Sequence, residues 1–257
     1  MTRISPRHPR YASLKTRARL ARAARAGIVV PEGLIAHGRG EAFDYLLGER
    51  SIPSALRAAR LAAEWIRRAE RPVISVNGNV AALAAPEIAE LARAFPRLRV
   101  EVNLFHRTPQ RARAIAEALR RSGIAEVLGV RATGRLEGLP SDRARIDAEG
   151  IGRADLCVIP LEDGDRAEAL RRAGKTVVAI DLNPLSRTAR FADLTIVDEL
   201  TRALRNITAA ADRGPAPRPR KVPSSVFLNE ARKAIRRNLA AASARGATKG
   251  PAARRPR

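Results

Sequence analysis

One cysteine in 257 residues excludes a disulfide framework and any multi-cysteine metal site. Aromatic residues are only 3% against 45% hydrophobic overall, so a core must be built from Ala, Leu, Ile and Val. The apolar runs are short; residues 177–180 are typical, far below the ~20 that span a bilayer. Residues 1–10 are basic and lack the apolar stretch of a signal peptide. These absences predict a soluble, cytoplasmic protein. Two nucleotide signatures are also missing. Gly38 and Gly40, or Gly150 and Gly152, do not complete a G-x-G-x-x-G, and Gly174-Lys175-Thr176 lacks the first glycine of a P-loop because Ala169 stands there. That segment also precedes a strand instead of following one, so it reads as a helix C-cap.

The charge is lopsided, at net +23. Residues 1–27 hold eight Lys or Arg and no acid, and residues 213–257 hold thirteen and one acid. The stretch between is close to neutral, so the total by itself does not mark a nucleic-acid binder. Any nucleic-acid affinity is expected to be nonspecific and confined to the basic tail.

Residues 11–26, 41–48 and 51–69 read as helices. From residue 72 on, short β-branched runs alternate with helical patterns: strands at 72–77, 98–104, 127–130, 154–160, 176–180 and 194–197, with helices at 79–94, 108–122, 165–173 and 199–211. Such alternation predicts α/β architecture: a Rossmann-like, mostly parallel sheet with helices on both faces. The predicted organisation is a domain over 1–212, with a helical part at 1–70 and the sheet at 71–212, then a basic, largely disordered tail at 213–257. One helix is expected inside that tail, at 224–242.

In such sheets ligands bind beyond the carboxyl ends of the strands, which directs attention to particular loops. Asp181-Leu-Asn-Pro-Leu-Ser-Arg-Thr188 follows a strand; it is either an anion-holding helix start or an ordinary capped turn with Arg187 in solvent. Gly33-Leu-Ile-Ala-His-Gly-Arg-Gly-Glu41 reads as a loop in which two glycines bring Arg39 close to a ligand, with His37 as a donor, a base, or a satisfied structural histidine. Glu162-Asp163-Gly164-Asp165 could hold Mg²⁺; the alternative is a helix start with Asp165 as N-cap. Asn77-Gly78-Asn79 is a tight turn or a polar pair facing substrate. Cys157 lies mid-strand and reads as a small buried hydrophobe.

Taken together, His8-Pro-Arg-Tyr-x-Ser-Leu14, Gly33 to Leu46, Pro72-Val-Ile-Ser-Val-Asn-Gly-Asn-Val-Ala-Ala-Leu83, Val158-x-Pro-Leu-Glu-Asp-Gly-Asp-Arg166 and Asp181-Leu-Asn-Pro-Leu-Ser-Arg187 through Asp198 resemble the archaeal phosphopantothenate synthetases. These are 4-phosphopantoate–β-alanine ligases of coenzyme A biosynthesis. The resemblance covers residues 8 to about 212, leaving the tail outside it. It implies an ATP-dependent ligase that releases AMP and diphosphate, works with Mg²⁺ and forms a homodimer. It further implies ATP contacts at Arg17, Arg39, Asp181, Leu182, Asn183, Arg187, Thr188, Asp198, Glu199 and Leu200. Family members often carry Asn where this chain has Glu199, which shifts the expected contact there to the backbone. His37, Asn77 and Asn79 are the candidates for phosphopantoate. The competing reading is a non-catalytic nucleotide or phosphosugar binder on the same fold.

Overall fold

The strands are short because each is a brief apolar run that a helix start interrupts. In the computed structural model, which describes residues 5–8, 10–211 and 222–247, β1 (Pro72–Val76) is buried at all five positions and ends at Asn77. The Asn77 side chain accepts from the Val80 N–H and caps α4 (Gly78–Ala94). Thr108 likewise accepts from the Arg111 N–H to start α5 (Pro109–Arg121), after β2 (Arg99–Val102). β5 (Leu156–Pro160), α6 (Gly164–Arg172), β6 (Thr176–Ile180), α7 (Arg187–Phe191), β7 (Leu194–Ile196) and α8 (Leu200–Ala209) continue the alternation. The five strands form one parallel sheet, as expected, and its order is β2-β1-β5-β6-β7.

Period-two alternation divides the sheet's side chains between two cores. Ile74, Val76, Val100, Val102, Val158, Val178, Ile180 and Ile196 belong to the larger, with α4, α5, α8 and the alanine-rich face of α3 (Pro53–Arg68). Val73, Cys157, Ile159, Val177 and Ala179 pack against α6 in the smaller. A two-stranded ribbon of β3 (Gly134–Arg135) and β4 (Arg145–Ile146) borders that second core.

The N-terminal helices are α1 (Tyr11–Arg25) and α2 (Pro31–Leu47). Three sequence expectations are corrected here. The glycine-rich stretch from Gly33 to Glu41 is not a loop: it lies inside α2, which Pro31 opens. Glycine costs a helix roughly 1 kcal/mol relative to alanine, and tertiary contacts override it: Asn79 Nδ2 donates to the Gly33 carbonyl at 2.7 Å, and Glu41 bonds back to α1. No strand forms at 127–130; a single bridge joins Glu101 to Leu128. The N-cap of α6 is Asp163, with Asp165 in its first turn.

The tail divides differently from its composition. The helix expected at 224–242 exists as α9 (Ser224–Ala247), and it is docked. Phe227, Leu228, Ala231 and Ala234 are buried in the larger core, against α2, α3 and β7. Asn238 Nδ2 donates to the Leu46 carbonyl at 2.9 Å, closing the C-terminal end of α2. The remainder of the predicted disordered tail, 212–221 and 248–257, lies outside the described residues.

Candidate active site

Strand order reverses between β1 and β5: β2 lies to one side of β1, and β5, β6 and β7 follow on the other. A crevice opens at the carboxyl ends of the strands flanking such a reversal. Here it is a cleft of about 1100 Å³, walled by α1 and α2 above the strand ends. Asn77 and Leu161 sit at its floor, where Asn77 Nδ2 donates to the Leu161 carbonyl at 2.9 Å and ties the two central strands together. Asn77, Asp163 and Asn183 all line this one cleft, as expected of residues on one sheet edge.

The sequence candidates that reach the cleft are His37, Arg39, Asn77, Asn79, Asp181, Leu182, Asn183, Arg187, Thr188, Glu199 and Leu200. Two others do not line it. Arg17 is on α1, bonded to Glu41 Oε2 at 2.8 Å. Asp198 is 2% exposed and accepts from Ser51 Oγ, Arg202 Nε and the Glu199 N–H, so its carboxylate braces α8 instead of facing a ligand.

Several polar side chains in the cleft are already spoken for. Asn77 uses its oxygen as a helix cap and its amide on Leu161. Asn79 spends its amide on Gly33, and a Cβ at Gly33 would collide with the Asn79 oxygen. Glu199 Oε2 caps α8 by accepting from the Thr201 and Arg202 N–H groups. Thr188 Oγ1 donates to the Glu162 carbonyl at 2.6 Å. Asp181 accepts from the Asn183 N–H at 2.9 Å and from Ser186 Oγ, which in turn caps α7. Burial pushes the Asp181 carboxyl above its ordinary range, while the Ser186 and Asn183 donors and the charge of Arg39 pull against it.

His37 lies on the cleft wall with Nε2 buried and without a hydrogen-bond partner. Burial lowers its pKa, and the nearby Glu41 and Glu199 charges only partly offset this, so the ring is neutral near pH 7. Glu41 is held by Ser13, Arg17 and Tyr45; burial acts to raise its pKa, but these donors outweigh it and keep the carboxylate ionised. This cluster fastens α1 to α2.

The acids considered for Mg²⁺ do not converge. Glu162, with a side chain 1% exposed, sits between Arg143 and Arg166; Asp163 accepts from Arg143 Nε at 3.1 Å, and Asp165 pairs with Arg187 at 2.5 Å. Among the described residues no group of three His, Cys, Asp or Glu side chains is placed to hold a metal ion.

Sequence reasoning missed most of the basic residues that matter electrostatically. Eight Lys or Arg side chains line the cleft. Four are neutralised by carboxylates: Arg143, Arg187, Arg202 and Arg205. The other four, Lys15, Arg19, Arg39 and Arg111, have no acidic partner among the described residues. Their uncompensated charge suits the cleft to anionic ligands. The four-residue spacing of Lys15 and Arg19, about one turn of α1, was a readable signal; Arg111 carried none, because its place depends on the docking of α5.

Comparison with known proteins adds to this geometry. The model of the phosphopantothenate/pantothenate synthetase family matches residues 54–243, a span that includes most of α9. A 4-phosphopantoate–beta-alanine ligase of Thermococcus onnurineus is 53% identical over 212 residues, covering 82% of this chain and 81% of the relative. The ligase of the same name from Methanospirillum hungatei is 56% identical over 204 residues, covering 79% and 83%. That from Methanosarcina mazei is 54% identical over 211 residues, covering 82% and 83%.

Proposed function

The chain belongs to the phosphopantothenate/pantothenate synthetase family, and from that membership we propose that it is an ATP-dependent 4-phosphopantoate–β-alanine ligase. The observation that carries this reading is identity above one half to ligases of that name over about four fifths of the chain.

A carboxylate is a poor electrophile, so the reaction needs an activated acyl group before an amine can attack. In the proposed route the carboxylate of 4-phosphopantoate attacks the α-phosphorus of ATP, diphosphate leaves, and β-alanine then displaces AMP from the acyl adenylate. Three reactants must be aligned in one place, and alignment is the largest service a cleft of this kind offers. The segment from Asp181 to Thr188 and the start of α8 at Glu199–Leu200 would hold the nucleotide, Leu182 and Leu200 through their backbone groups. Asp198 enters only indirectly, by bracing Arg202 and the α8 cap. Arg39, exposed at the cleft and without a partner among the described residues, would stabilise charge developing on the phosphates. Arg17 contributes through Glu41 and the wall that the two residues hold in place. His37, Asn77 and Asn79 frame the phosphopantoate side, the asparagines mainly by fixing the strand ends.

Mg²⁺ would arrive on the nucleotide's phosphate oxygens, as part of the substrate, since Glu162, Asp163 and Asp165 are each tied to an arginine. A homodimer belongs to the same proposal, supported by the exposed apolar pair Leu34 and Ile35 on α2, 37% and 72% exposed. Cytoplasmic placement is likewise proposed; no helix among the described residues is long and apolar enough to cross a membrane.

The test is an end-point assay of purified protein with ATP, 4-phosphopantoate and β-alanine, scored for AMP. AMP formed only with all three present supports the reading. ADP would replace the adenylate by an acyl phosphate, and no turnover would favour a non-catalytic binding protein.

A further inference from the structure

The proposed reaction brings two polyanions into one cleft, and the uncompensated cations are not spread evenly along it. Lys15, Arg19 and Arg39 belong to α1 and α2, whereas Arg111 stands apart at the carboxyl end of β2. The candidate nucleotide segments follow β6 and β7. Neighbouring strands are ~4.8 Å apart, which puts the β2 end roughly 14 Å from the β6 end along the sheet. A second phosphate has reason to sit there: it is far from the triphosphate, and the intervening strand ends at β1 and β5 leave room for the reacting carboxylate.

The seating of Arg111 fits this task. Its Nε donates to the Ile28 carbonyl at 3.0 Å and its Nη1 to the His106 carbonyl at 2.6 Å, which fixes the guanidinium plane without neutralising it. The remaining terminal nitrogen, Nη2, lies against Gly78, the first residue of α4, where a Cβ would come within 2.8 Å of it. Gly78 therefore opens the space that the guanidinium occupies. Burial and the neighbouring Arg143 lower the Arg111 pKa, with Glu32 opposing, as befits a cation in locally positive surroundings. Arg143 itself is bound to Glu162 and Asp163, so among the described cleft-lining residues Arg111 is the charge left over at this end.

We infer that Arg111 binds the phosphate of the phosphorylated hydroxy-acid substrate, and so sets the preference for the phosphorylated acid over its unphosphorylated form. The assignment rests on the ligase reading above, which does not itself place this phosphate. A planar fork with one nitrogen free, held by two backbone carbonyls, presents a directed donor to a phosphate oxygen.

The experiment compares wild type with Arg111→Met and Arg111→Lys in steady-state kinetics. It adds calorimetric titration with 4-phosphopantoate and with pantoate, and thermal unfolding of each protein. Arg111→Met should raise KM for 4-phosphopantoate about 10- to 150-fold, the range for losing a charge-assisted contact. KM for ATP should stay within about twofold. Preference for the phosphorylated acid should fall by the same factor as the KM change, and Arg111→Lys should recover part of it. An unchanged KM for 4-phosphopantoate, or a parallel rise in KM for ATP, overturns the assignment. If wild type forms no AMP, the ligase reading fails while the titrations still decide this one: phosphate-dependent binding lost in Arg111→Met supports it, and equal binding by both proteins overturns it. Should Arg111→Met unfold, the lysine variant, which keeps charge and stem, carries the same comparison.

Discussion

The amide of Asn77 reaches across the middle of the sheet to the carbonyl of Leu161, joining the ends of β1 and β5 at 2.9 Å while its oxygen caps α4. One side chain thus sets both the spacing of the two central strand ends and the direction of a helix. Asn77→Ala should cost about 1–2 kcal/mol for the cap, plus about 1 kcal/mol for the bridge. Asn77→Asp should keep the cap but set a carboxylate against the Leu161 carbonyl. Denaturant unfolding reads the stability. A measurable loss in both variants, with Asp also raising KM for 4-phosphopantoate, is the expected result; an unchanged midpoint would remove the bridge from the account.

Arg39 and Arg187 are separated by their surroundings. Arg187 is held by Asp165 and Glu168, over the Phe191 ring, at 59% exposure. Arg39 has no such partners among the described residues and lies near Asp181 in the cleft. Arg39→Ala should lower kcat/KM for ATP by about 10- to 150-fold with little change in unfolding temperature. Arg187→Ala should cost under about 1 kcal/mol in either measurement, because its contact with nucleotide competes with an existing exposed ion pair. Kinetics for ATP beside calorimetry of unfolding test the contrast.

Helix α9 is part of the core, so its removal should be costly. Phe227→Ala is expected to lose roughly 3–5 kcal/mol through the cavity it leaves. Ending the chain at residue 221 should expose the faces of α3 and β7 that α9 covers and loosen the C-terminal end of α2. Limited proteolysis and AMP formation by the shortened protein measure this. A shortened chain as stable and active as the full one would contradict the docking.

Glu101 on β2 is fully buried and accepts from the Asp147 N–H at 3.0 Å and the Ile151 N–H at 2.6 Å. Burial raises its pKa to about 7, although both backbone donors oppose the shift. The folded protein therefore holds a proton that the unfolded chain releases near its ordinary pKa of 4.5. Stability from this group is complete below about pH 4.5 and is lost as pH rises through 7, a change of roughly 3 kcal/mol. Glu101→Gln should flatten the difference between unfolding free energies at pH 5 and pH 8. A variant with the wild-type pH slope would assign that slope to other groups.

The parallel sheet was legible because its strands are β-branched runs that stop at Asn, Thr or Asp caps, as at Asn77 and Thr108. The loops beyond them were legible for the same reason. Helix α2 was not: Gly33, Gly38 and Gly40 signal a loop, and what keeps the helix is long-range, through Asn79, Ser13 and Asn238. The docking of α9 was hidden by composition, since four apolar positions sit among arginines. β3 and β4 hold two residues each, too few to show a period. Within the site, residue types were readable but their partners were not. Nothing local says that Asp198 belongs to Ser51 or that Glu162 is enclosed by Arg143 and Arg166, since only the packed sheet brings them together.

The reversal of strand order also has a kinetic side. β1 and β2 are linked through α4, and β5, β6 and β7 through α6 and α7, so each group can pair from contacts near in sequence. The seam between the groups pairs Pro72 with Leu156, which requires closing a long loop before any reward is collected. Pairing across the seam should therefore carry the largest loop-closure cost within the sheet. The cleft does not exist until the two groups meet, and a ligand lying across the seam would slow their separation.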